Sequence, residues 1–323
     1  MPQNSEDNTA PGVPRLWILT DGKIGDDVQC AAIAEALGAS FEKRLTRPRA
    51  PWSWFTQYGL IDPRDRPHLP ASAIHGDPPD IAIASGRRSV AYAKALKKAS
   101  GGKTKIVFLK DPRAGRGAAD IIWAPAHDRL AAPNAFSTLT SPHALSAKIA
   151  ERRAALAAGG KGFDRPLLGV VLGGGAGYAA AEAARFAAML NDASADYRTV
   201  AVTPSRRTPP EFMHVLREAL KGEKYVIWSG EGDNPYIDIL AQADALVVGA
   251  DSHNMMSEAV ATGAGVYAWR PPGLAKKLDW FVSELEQNGA VRSFRGAAPA
   301  FLHPPIDATP QIAAEIERRL KGG

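Results

Sequence analysis

The stretch DALVVGADSHNMMSEAVATGAGVYAWRP, Asp244 to Pro271, predicts a strand, a polar turn, a helix and a second strand. The apolar runs 245–249 and 265–269 suit strands that are buried on both faces of a sheet. Strands joined through a helix lie parallel, because the crossover returns the chain to the end of the sheet where it started. The stretch therefore predicts an α/β fold with a parallel sheet.

The same alternation of apolar runs and helical patterns extends along the chain, for example at RLWILT (15–20), DIAIAS (80–85) and PLLGVVLGGGAGYAAAEAARFAAML (166–190). A Gly-rich connector that ends in a proline interrupts it, which predicts a boundary between about 157 and 165. We expect an N-terminal Rossmann-like lobe over 14–157, a C-terminal one over 165–300 and a last helix over 308–322. Two such lobes would face a cleft, the default binding site.

Composition sets limits on the class of protein. The 323 residues are 45% hydrophobic and 23% charged, which is typical of a soluble globular protein. No apolar run is long enough to span a membrane, and the polar, acidic residues 1–13 predict a disordered segment rather than a signal peptide. The single cysteine excludes an internal disulfide, so a cytoplasmic location is expected.

The net charge is only +5, but arginines are clustered after apolar strands, at SGRR (85–88) and DPRAGR (111–116). Open α/β sheets bind ligands at such strand ends. The position favours small anions, and no nucleic-acid module is recognisable, so no nucleic-acid partner is expected.

The glycine-rich loop after the strand 167–172 predicts a phosphate site, since glycines let an anion approach backbone N–H groups at a helix N-terminus. Neither the dinucleotide fingerprint nor the Walker pattern is present. The alternative is a tight turn that packs the helix on the strand. The expected donor-binding residues of this region are Gly173, Gly174, Gly175, Gly177, Ser205 and Arg206.

The polar turn of the opening stretch supplies the second part of the predicted donor site. Glu258 lies early in the helix, where its carboxylate would accept hydrogen bonds from the two hydroxyls of a ribose. Ser252 is either a ligand or the N-cap of the helix. The predicted donor-binding residues of the turn are Ser252, His253, Asn254, Ser257 and Glu258.

The first strand–helix turn, TDGKIGDD (20–27), predicts a catalytic loop. Asp21 or Asp26 would take a proton from an acceptor hydroxyl, and Lys23 would offset the charge of a leaving diphosphate. The alternative for Asp26 is a favourable interaction with the helix dipole. His127, beside Asp128, is a further candidate base.

Loops after neighbouring strands supply the expected acceptor and anion site, formed by Gly22, Ser85, Arg87, Arg88 and Arg113. The segment 51–70 mixes aromatic and cationic residues, which is typical of contact with a membrane surface or of an aromatic cover on the first lobe. No ligand spacing for a metal occurs, so no metal and no cofactor are expected.

The strand, the turn and the helix start SEAVATGAGV (257–266) resemble the nucleotide-sugar half of GT-B glycosyltransferases. This resemblance implies that Glu258 holds the ribose and that Ser252, Asn254 and Ser257 lie around the diphosphate near the loop 173–177. Six motifs also resemble the mitochondrial-fission family named for elongated mitochondria in plants: TDGKIGDDVQ, PDIAIASGRRS, LKDPR, APAHDRL, VVLGGGAG and DSHNMMSEAVATGAGVY. Where many members have His-Glu, this chain has Asp26 and Asp27.

The resemblance implies a GT-B-like pair of Rossmann-like lobes and, by analogy, a metal-independent glycosyltransferase that uses a nucleotide-sugar. An anionic or lipid-linked acceptor and peripheral contact with the inner face of the membrane are further expectations. Bacterial members are often labelled nucleoside-diphosphate-sugar epimerases, which is the second enzyme hypothesis. A non-enzymatic adaptor that binds a protein or a membrane is the third.

Overall fold

The computed structural model describes residues 14–175 and 177–322, and the predicted disordered segment 1–13 lies outside them. The chain forms two compact units, each built on a six-stranded parallel sheet. The predicted fold class, α/β with two Rossmann-like units, is confirmed.

The first unit has the strand order β2-β1-β3-β4-β5-β6. Residues 142–144 and the chain from Ala308 onward also belong to it. Its elements are β1 Leu16–Thr20, α1 Ile24–Ala36, β2 Phe41–Leu45, β3 Ile81–Ser85, α2 Ser89–Ala99, β4 Lys105–Leu109, β5 Ile121–Pro125, β6 Ala135–Thr138 and, at the other end of the chain, α9 Thr309–Lys321.

Alternate residues of β1 enter two different cores, which explains its continuous apolar sequence. Leu16 and Ile18 pack in the core that includes residues of α1 and α9. Trp17 and Leu19 pack in the core that includes residues of α2. Because both faces of the sheet are covered, no position of β1 is left for a polar side chain facing water.

The second unit has the strand order β12-β11-β10-β7-β8-β9. One face packs an aromatic cluster, in which the rings of Phe186 and Trp269 lie 4.4 Å apart. Its elements are α3 Leu145–Ala157, β7 Leu167–Leu172, α4 Ala180–Ala193, β8 Thr199–Pro204, α5 Pro210–Ala219, β9 Tyr225–Ile227, α6 Tyr236–Gln242, β10 Ala245–Gly249, α7 His253–Val260, β11 Gly265–Trp269, α8 Lys276–Gln287 and β12 Val291–Ser293.

Both sheets have a switch point, where neighbouring strands continue into helices on opposite faces. In the first unit it lies between β1 and β3, and in the second between β7 and β10. Loops that follow strands at a switch point diverge and leave a crevice. These two edges are therefore where functional side chains are expected in each unit.

The predicted domain limits need correction, because the first unit ends at Thr138 and not at 157. Helix α3 belongs to the second unit, where Ile149 joins the core and Arg153 donates hydrogen bonds to the carbonyls of Ala241 and Thr262. The second unit runs to Asp307 rather than 300. Helix α9 packs on the first unit through Ile312 and Ile316.

Within residues 14–175 and 177–322, every helix is too short or too polar to cross a membrane.

Candidate functional site

The loops after β1 and β3 border a cavity of about 490 Å³ in the first unit, which we call the strand-end pocket. The two strands are parallel neighbours, so their carboxyl ends meet at one edge. Gly22 and Gly86 adopt φ angles of +86° and +83°, which turn the chain sharply in a conformation that favours glycine. The lining residues are Asp21, Lys23, Ser53, Trp54, Thr56, Gln57, Arg87 and Arg88.

Four predicted site residues meet in the strand-end pocket: Asp21, Lys23, Arg87 and Arg88. The opposite wall of the pocket, which was not predicted from the sequence, consists of residues of the connector after β2 within 53–57. The only signal in the sequence for that wall is the aromatic content of the connector. It indicates that the connector packs on the first unit, but it does not identify the pocket that the connector borders.

Asp21 is the buried acid of this pocket, with a side chain only 5% exposed. Its Oδ2 lies 3.0 Å from Nζ of Lys23, an ammonium group that is 70% exposed. Its Oδ1 is buried and has no hydrogen-bond partner in the described part of the chain. Buried carboxylate oxygens nearly always accept a hydrogen bond, so Oδ1 of Asp21 has unused acceptor capacity.

Arg87 and Arg88 bring two positive charges to the same pocket. Both side chains are exposed, and neither makes an ion pair or hydrogen bond within residues 14–175 and 177–322. Guanidinium groups bind carboxylates and phosphates with two parallel hydrogen bonds. The strand-end pocket therefore combines a buried acceptor with available donors for an anion.

Other predicted residues of the first unit have different surroundings. Asp26 forms an ion pair with Lys110, and the Ser85 hydroxyl donates to the carbonyl of Leu109. His127 is buried, and its Nε2 lies 3.7 Å from Asp128 Oδ1, which is too long for the orienting hydrogen bond of a catalytic pair.

Asp26, Ser85, Arg113 and His127 do not line the strand-end pocket. Arg113 is exposed after β4. Gly25 lies within α1, because the helix begins at Ile24. The predicted catalytic loop 20–27 is therefore non-helical only up to Lys23, and its remaining residues belong to α1.

At the switch point of the second unit, backbone N–H groups of the glycine loop already donate hydrogen bonds to other groups of the protein. The N–H of Gly174 donates to Oδ2 of Asp251 at 2.8 Å, and the N–H of Gly173 donates to the hydroxyl of Tyr178 at 2.9 Å. Tyr178 in turn donates to Oδ1 of Asp251 at 2.6 Å. Burial and the Asp251 charge raise the pKa of Tyr178, which keeps its proton in place as the donor.

Close packing accounts for three of these glycines. A Cβ added at Gly173 would lie 2.3 Å from Asp251, one at Gly174 would lie 2.2 Å from the backbone of Arg207, and one at Gly177 would lie 2.3 Å from a carbonyl oxygen. Only Gly175 has open space around it. The alternative of a tight packing turn thus describes most of the loop, and a phosphate role stays a prediction.

Ser205 and Thr208 fasten the next loop to the glycine loop, since both hydroxyls donate to the carbonyl of Gly173. This leaves Arg206 at the edge, exposed and without an ion-pair or hydrogen-bond partner in the described ranges. Arg207 is exposed beside it. These two cations are the groups near the loop that remain available for an anion.

Glu258 is half-buried on α7 and accepts a hydrogen bond from the hydroxyl of Tyr236 through Oε2. Burial raises the pKa of Glu258 from 4.5 to about 7, and the hydrogen bond from Tyr236 opposes part of that rise. The carboxyl therefore changes protonation near neutral pH. Its second oxygen, Oε1, is the atom left for a ligand.

The remaining residues of the polar turn serve the unit itself. Ser252 caps α7 by accepting from the N–H of Met255. Ser257 is fully buried and accepts from the N–H of Ser141, while His253 contacts Ser141 Oγ through Nδ1 at 2.7 Å. These side chains hold residues 139–141 against α7. Asn254 lies in the first turn of α7 and is half-buried.

No group of three or more His, Cys, Asp or Glu side chains that could hold a metal ion occurs in the described ranges. Metal-independent chemistry remains a prediction.

Comparison with known proteins identifies a family. The protein-family model with the description "Mitochondrial fission ELM1" matches residues 24–320. The mitochondrial fission protein ELM1 of Arabidopsis thaliana is 29% identical over an alignment of 284 residues that covers 78% of this chain and 66% of the plant protein. An uncharacterized protein of Rickettsia prowazekii, RP120, is 29% identical over an alignment of 128 residues that covers 36% of this chain and 35% of that protein. The chain thus spans just under two thirds of the plant relative.

Solved structures share the fold at low sequence identity. The UDP-GlcNAc 2-epimerase of Methanocaldococcus jannaschii has a TM-score of 0.56 and 13% identity, with 96% of this chain and 100% of that chain covered. The UDP-GlcNAc 2-epimerase of Neisseria meningitidis, bound to UDP-GlcNAc, has a TM-score of 0.51 and 9% identity, with 95% and 91% covered. These similarities confirm the GT-B-like fold.

Proposed function

The chain belongs to the mitochondrial fission ELM1 family, and from that premise we propose that it is a nucleotide-sugar-dependent enzyme, most specifically a glycosyltransferase of the GT-B type. The second unit binds the nucleoside diphosphate of the donor. The first unit binds an anionic acceptor in the strand-end pocket.

The observation that carries the proposal is the buried carboxylate of Asp21 in a pocket with three cations. Its Oδ1 lacks a hydrogen-bond partner among the described residues, although Oδ2 pairs with Lys23. A rotation of the Asp21 carboxyl would present Oδ1 to the pocket, where an acceptor hydroxyl that donates to it would be positioned for deprotonation. Arg87 and Arg88, which line the same pocket, would hold the anionic part of the acceptor.

In the proposed reaction the acceptor oxygen attacks the anomeric carbon of the donor. The new C–O bond forms while the bond from that carbon to the diphosphate oxygen breaks, and the electron pair leaves with the diphosphate. The hydroxyl proton passes to Asp21. Arg206 and Arg207 offset the charge on the diphosphate, in place of the backbone N–H groups of Gly173 and Gly174, which already have acceptors.

Glu258 is proposed to bind the ribose. An ionised carboxylate accepts hydrogen bonds from both ribose hydroxyls, whereas the protonated form loses acceptor capacity. Because burial raises the pKa of Glu258 to about 7, binding of the nucleotide should strengthen as the pH rises from 6 to 8. Tyr236 keeps the carboxyl oriented through Oε2.

A second candidate is epimerisation of the sugar of a nucleotide-sugar. The observation that favours it is that solved structures with this fold are described as UDP-GlcNAc 2-epimerases. An epimerase would invert a sugar carbon without an acceptor. Analysis of the sugar product, with and without candidate acceptors, separates the two reactions.

The first test is a thermal-shift screen of the full chain against UDP-, GDP-, ADP-, dTDP- and CMP-linked sugars. A ligand at about a hundredfold over its Kd stabilises the folded state by roughly 2.7 kcal/mol. We expect one nucleotide to give the shift and Glu258→Gln to reduce it. Glu211→Gln, which changes an exposed acid of the same unit, should retain it.

The second test measures release of the nucleoside diphosphate from the sugar-nucleotide that binds. Asp21→Asn should keep the thermal shift and lose turnover, while Asp77→Asn, an exposed acid in the first unit, should keep both. Absence of a shift with every nucleotide would overturn the proposed function and favour an adaptor that retains only the fold.

A further inference from the structure

The connector after β2 exposes large apolar side chains on the first unit. Its two short 3₁₀ turns span Trp52–Trp54 and Thr56–Tyr58, and we call residues 52–60 the aromatic turn. The exposed fractions are 68% for Trp54, 44% for Phe55, 60% for Tyr58 and 50% for Leu60. Single exposed apolar residues are common, but four within seven positions form a patch that marks an interaction surface.

A cavity of about 470 Å³ lies next to this patch, bordered by α2 and the loop 114–118. Three lysines of α2 line it, Lys94, Lys97 and Lys98, which the spacing i, i+3, i+4 places on one face of the helix. We call it the lysine cavity. No acidic residue is among its lining residues.

Two of the three lysines carry uncompensated charge. Lys97 pairs with Asp120 at 2.7 Å. Lys94 and Lys98 are exposed and make no ion pair within residues 14–175 and 177–322. The cavity therefore offers a net positive charge to an anion from solution.

The aromatic turn and the lysine cavity form one continuous surface. Tyr58 and Gly59 line the cavity, and the aliphatic stem of Lys94 covers Gly59 so closely that an added Cβ would lie 2.6 Å from its Cδ. Exposed aromatic tips beside cations with apolar stems suit the boundary between lipid headgroups and acyl chains. A site for a small phosphate compound would explain the lysines but not the four exposed apolar side chains.

We propose that the aromatic turn and the lysine cavity dock the protein on the surface of an anionic lipid bilayer. The apolar side chains of Trp54, Phe55, Tyr58 and Leu60 enter the headgroup layer, and Lys94 and Lys98 bind lipid phosphates. Because Trp54 also lines the strand-end pocket, docking places that pocket beside the membrane surface. The inference does not depend on the proposed function.

The test is cosedimentation of the full chain with phosphatidylcholine vesicles that contain or lack phosphatidylglycerol. Each lysine near an anionic surface contributes about fivefold to partitioning. Lys94→Gln with Lys98→Gln should therefore weaken binding to the anionic vesicles by about 25-fold. Lys103→Gln with Lys276→Gln removes the same charge from exposed positions elsewhere and should leave binding unchanged.

The apolar contribution is tested separately. Trp54→Ser with Phe55→Ser should reduce binding to both kinds of vesicle, and brominated lipids should quench tryptophan emission of the wild type more strongly than that of Trp54→Phe. Absence of vesicle binding, equal loss in the control lysine pair, or absence of quenching would overturn the inference. Displacement from vesicles by inorganic phosphate at low millimolar concentration would also overturn it, since it would indicate a site for soluble phosphate.

Discussion

The switch points of the two units lie at equivalent places in similar sheets, but their polar groups are satisfied differently. In the first unit, Asp21 keeps a buried oxygen without a hydrogen-bond partner in the described chain, and Arg87 and Arg88 lie exposed beside it. In the second unit, Asp251 closes the glycine loop through Gly174 and Tyr178. With the same topology, the first unit has polar groups available to a ligand, whereas the polar groups of the second unit hold its own glycine loop in place.

The comparison shows that position in a fold does not by itself identify a ligand site. Acidic residues follow β1 and β10 alike, yet of these two carboxylates only the one after β1 has a buried oxygen without a hydrogen-bond partner among the described residues. Substitutions at the two positions should consequently affect different properties.

The largest expected effect is on turnover in the first unit. Asp21→Asn removes the proposed base, and loss of a general base lowers the rate by about 10² to 10⁴. The free energy of unfolding should change by less than about 1 kcal/mol, because the exposed ammonium of Lys23 contributes little to stability. Nucleoside-diphosphate release and urea unfolding measure the two quantities, and a large loss of stability would show that Asp21 is structural.

The next largest effect concerns stability of the second unit. Asp251→Ala leaves the N–H of Gly174 and the hydroxyl of Tyr178 without an acceptor, which should destabilise the fold by about 2–4 kcal/mol. Asp233→Ala removes an exposed acid of the same unit and should change stability little. Equal effects of the two substitutions in urea unfolding would contradict the role given to Asp251.

Glu258 should make stability depend on pH. The pKa in the folded protein, about 7, lies above the ordinary value of 4.5, so the folded state favours the protonated carboxyl. The stabilisation is present below about pH 4.5 and is lost as the pH rises through 7, a difference of roughly 3 kcal/mol at most. Unfolding of wild type and Glu258→Gln, compared from pH 4.5 to 8, should show this dependence only in the wild type.

The smallest stability effect is expected for Arg87→Ala with Arg88→Ala. Neither side chain has an ion-pair partner in the described ranges, so unfolding should shift by no more than about 0.5 kcal/mol. Turnover with an anionic acceptor should fall, whereas turnover with a neutral analogue should not. A loss of stability above 1–2 kcal/mol, on the order expected for a buried network, would show that these arginines stabilise the fold rather than bind a ligand in the pocket.

Much of this arrangement follows from the sequence. Continuous apolar runs identify buried parallel strands, and the rule that their carboxyl ends share an edge brings Asp21 and Lys23 together with Arg87 and Arg88. The opposite wall of the strand-end pocket could not be predicted, because an irregular connector has no periodicity that fixes where Trp54 lies.

Two other features could not be predicted from the sequence, because they depend on contacts between residues that are distant in the chain. Gly173 and Gly174 are typical of a phosphate-binding loop. However, the N–H of Gly174 donates to Asp251, which is distant in the sequence, and the sequence does not show this contact. Helices α3 and α9 show an apolar face without showing which sheet covers it, so the first lobe was predicted to include α3 and the last helix was predicted without assignment to a lobe.

The most direct test of the account is calorimetric titration of the sugar-nucleotide found in the screen, at pH 6 and pH 8. With a pKa of about 7 for Glu258, the ionised fraction falls about tenfold between pH 8 and pH 6, so the Kd of the wild type should rise about tenfold. The Kd of Glu258→Gln should be weaker at pH 8 and independent of pH. Equal wild-type affinity at the two pH values would contradict the assignment of Glu258 to the nucleotide.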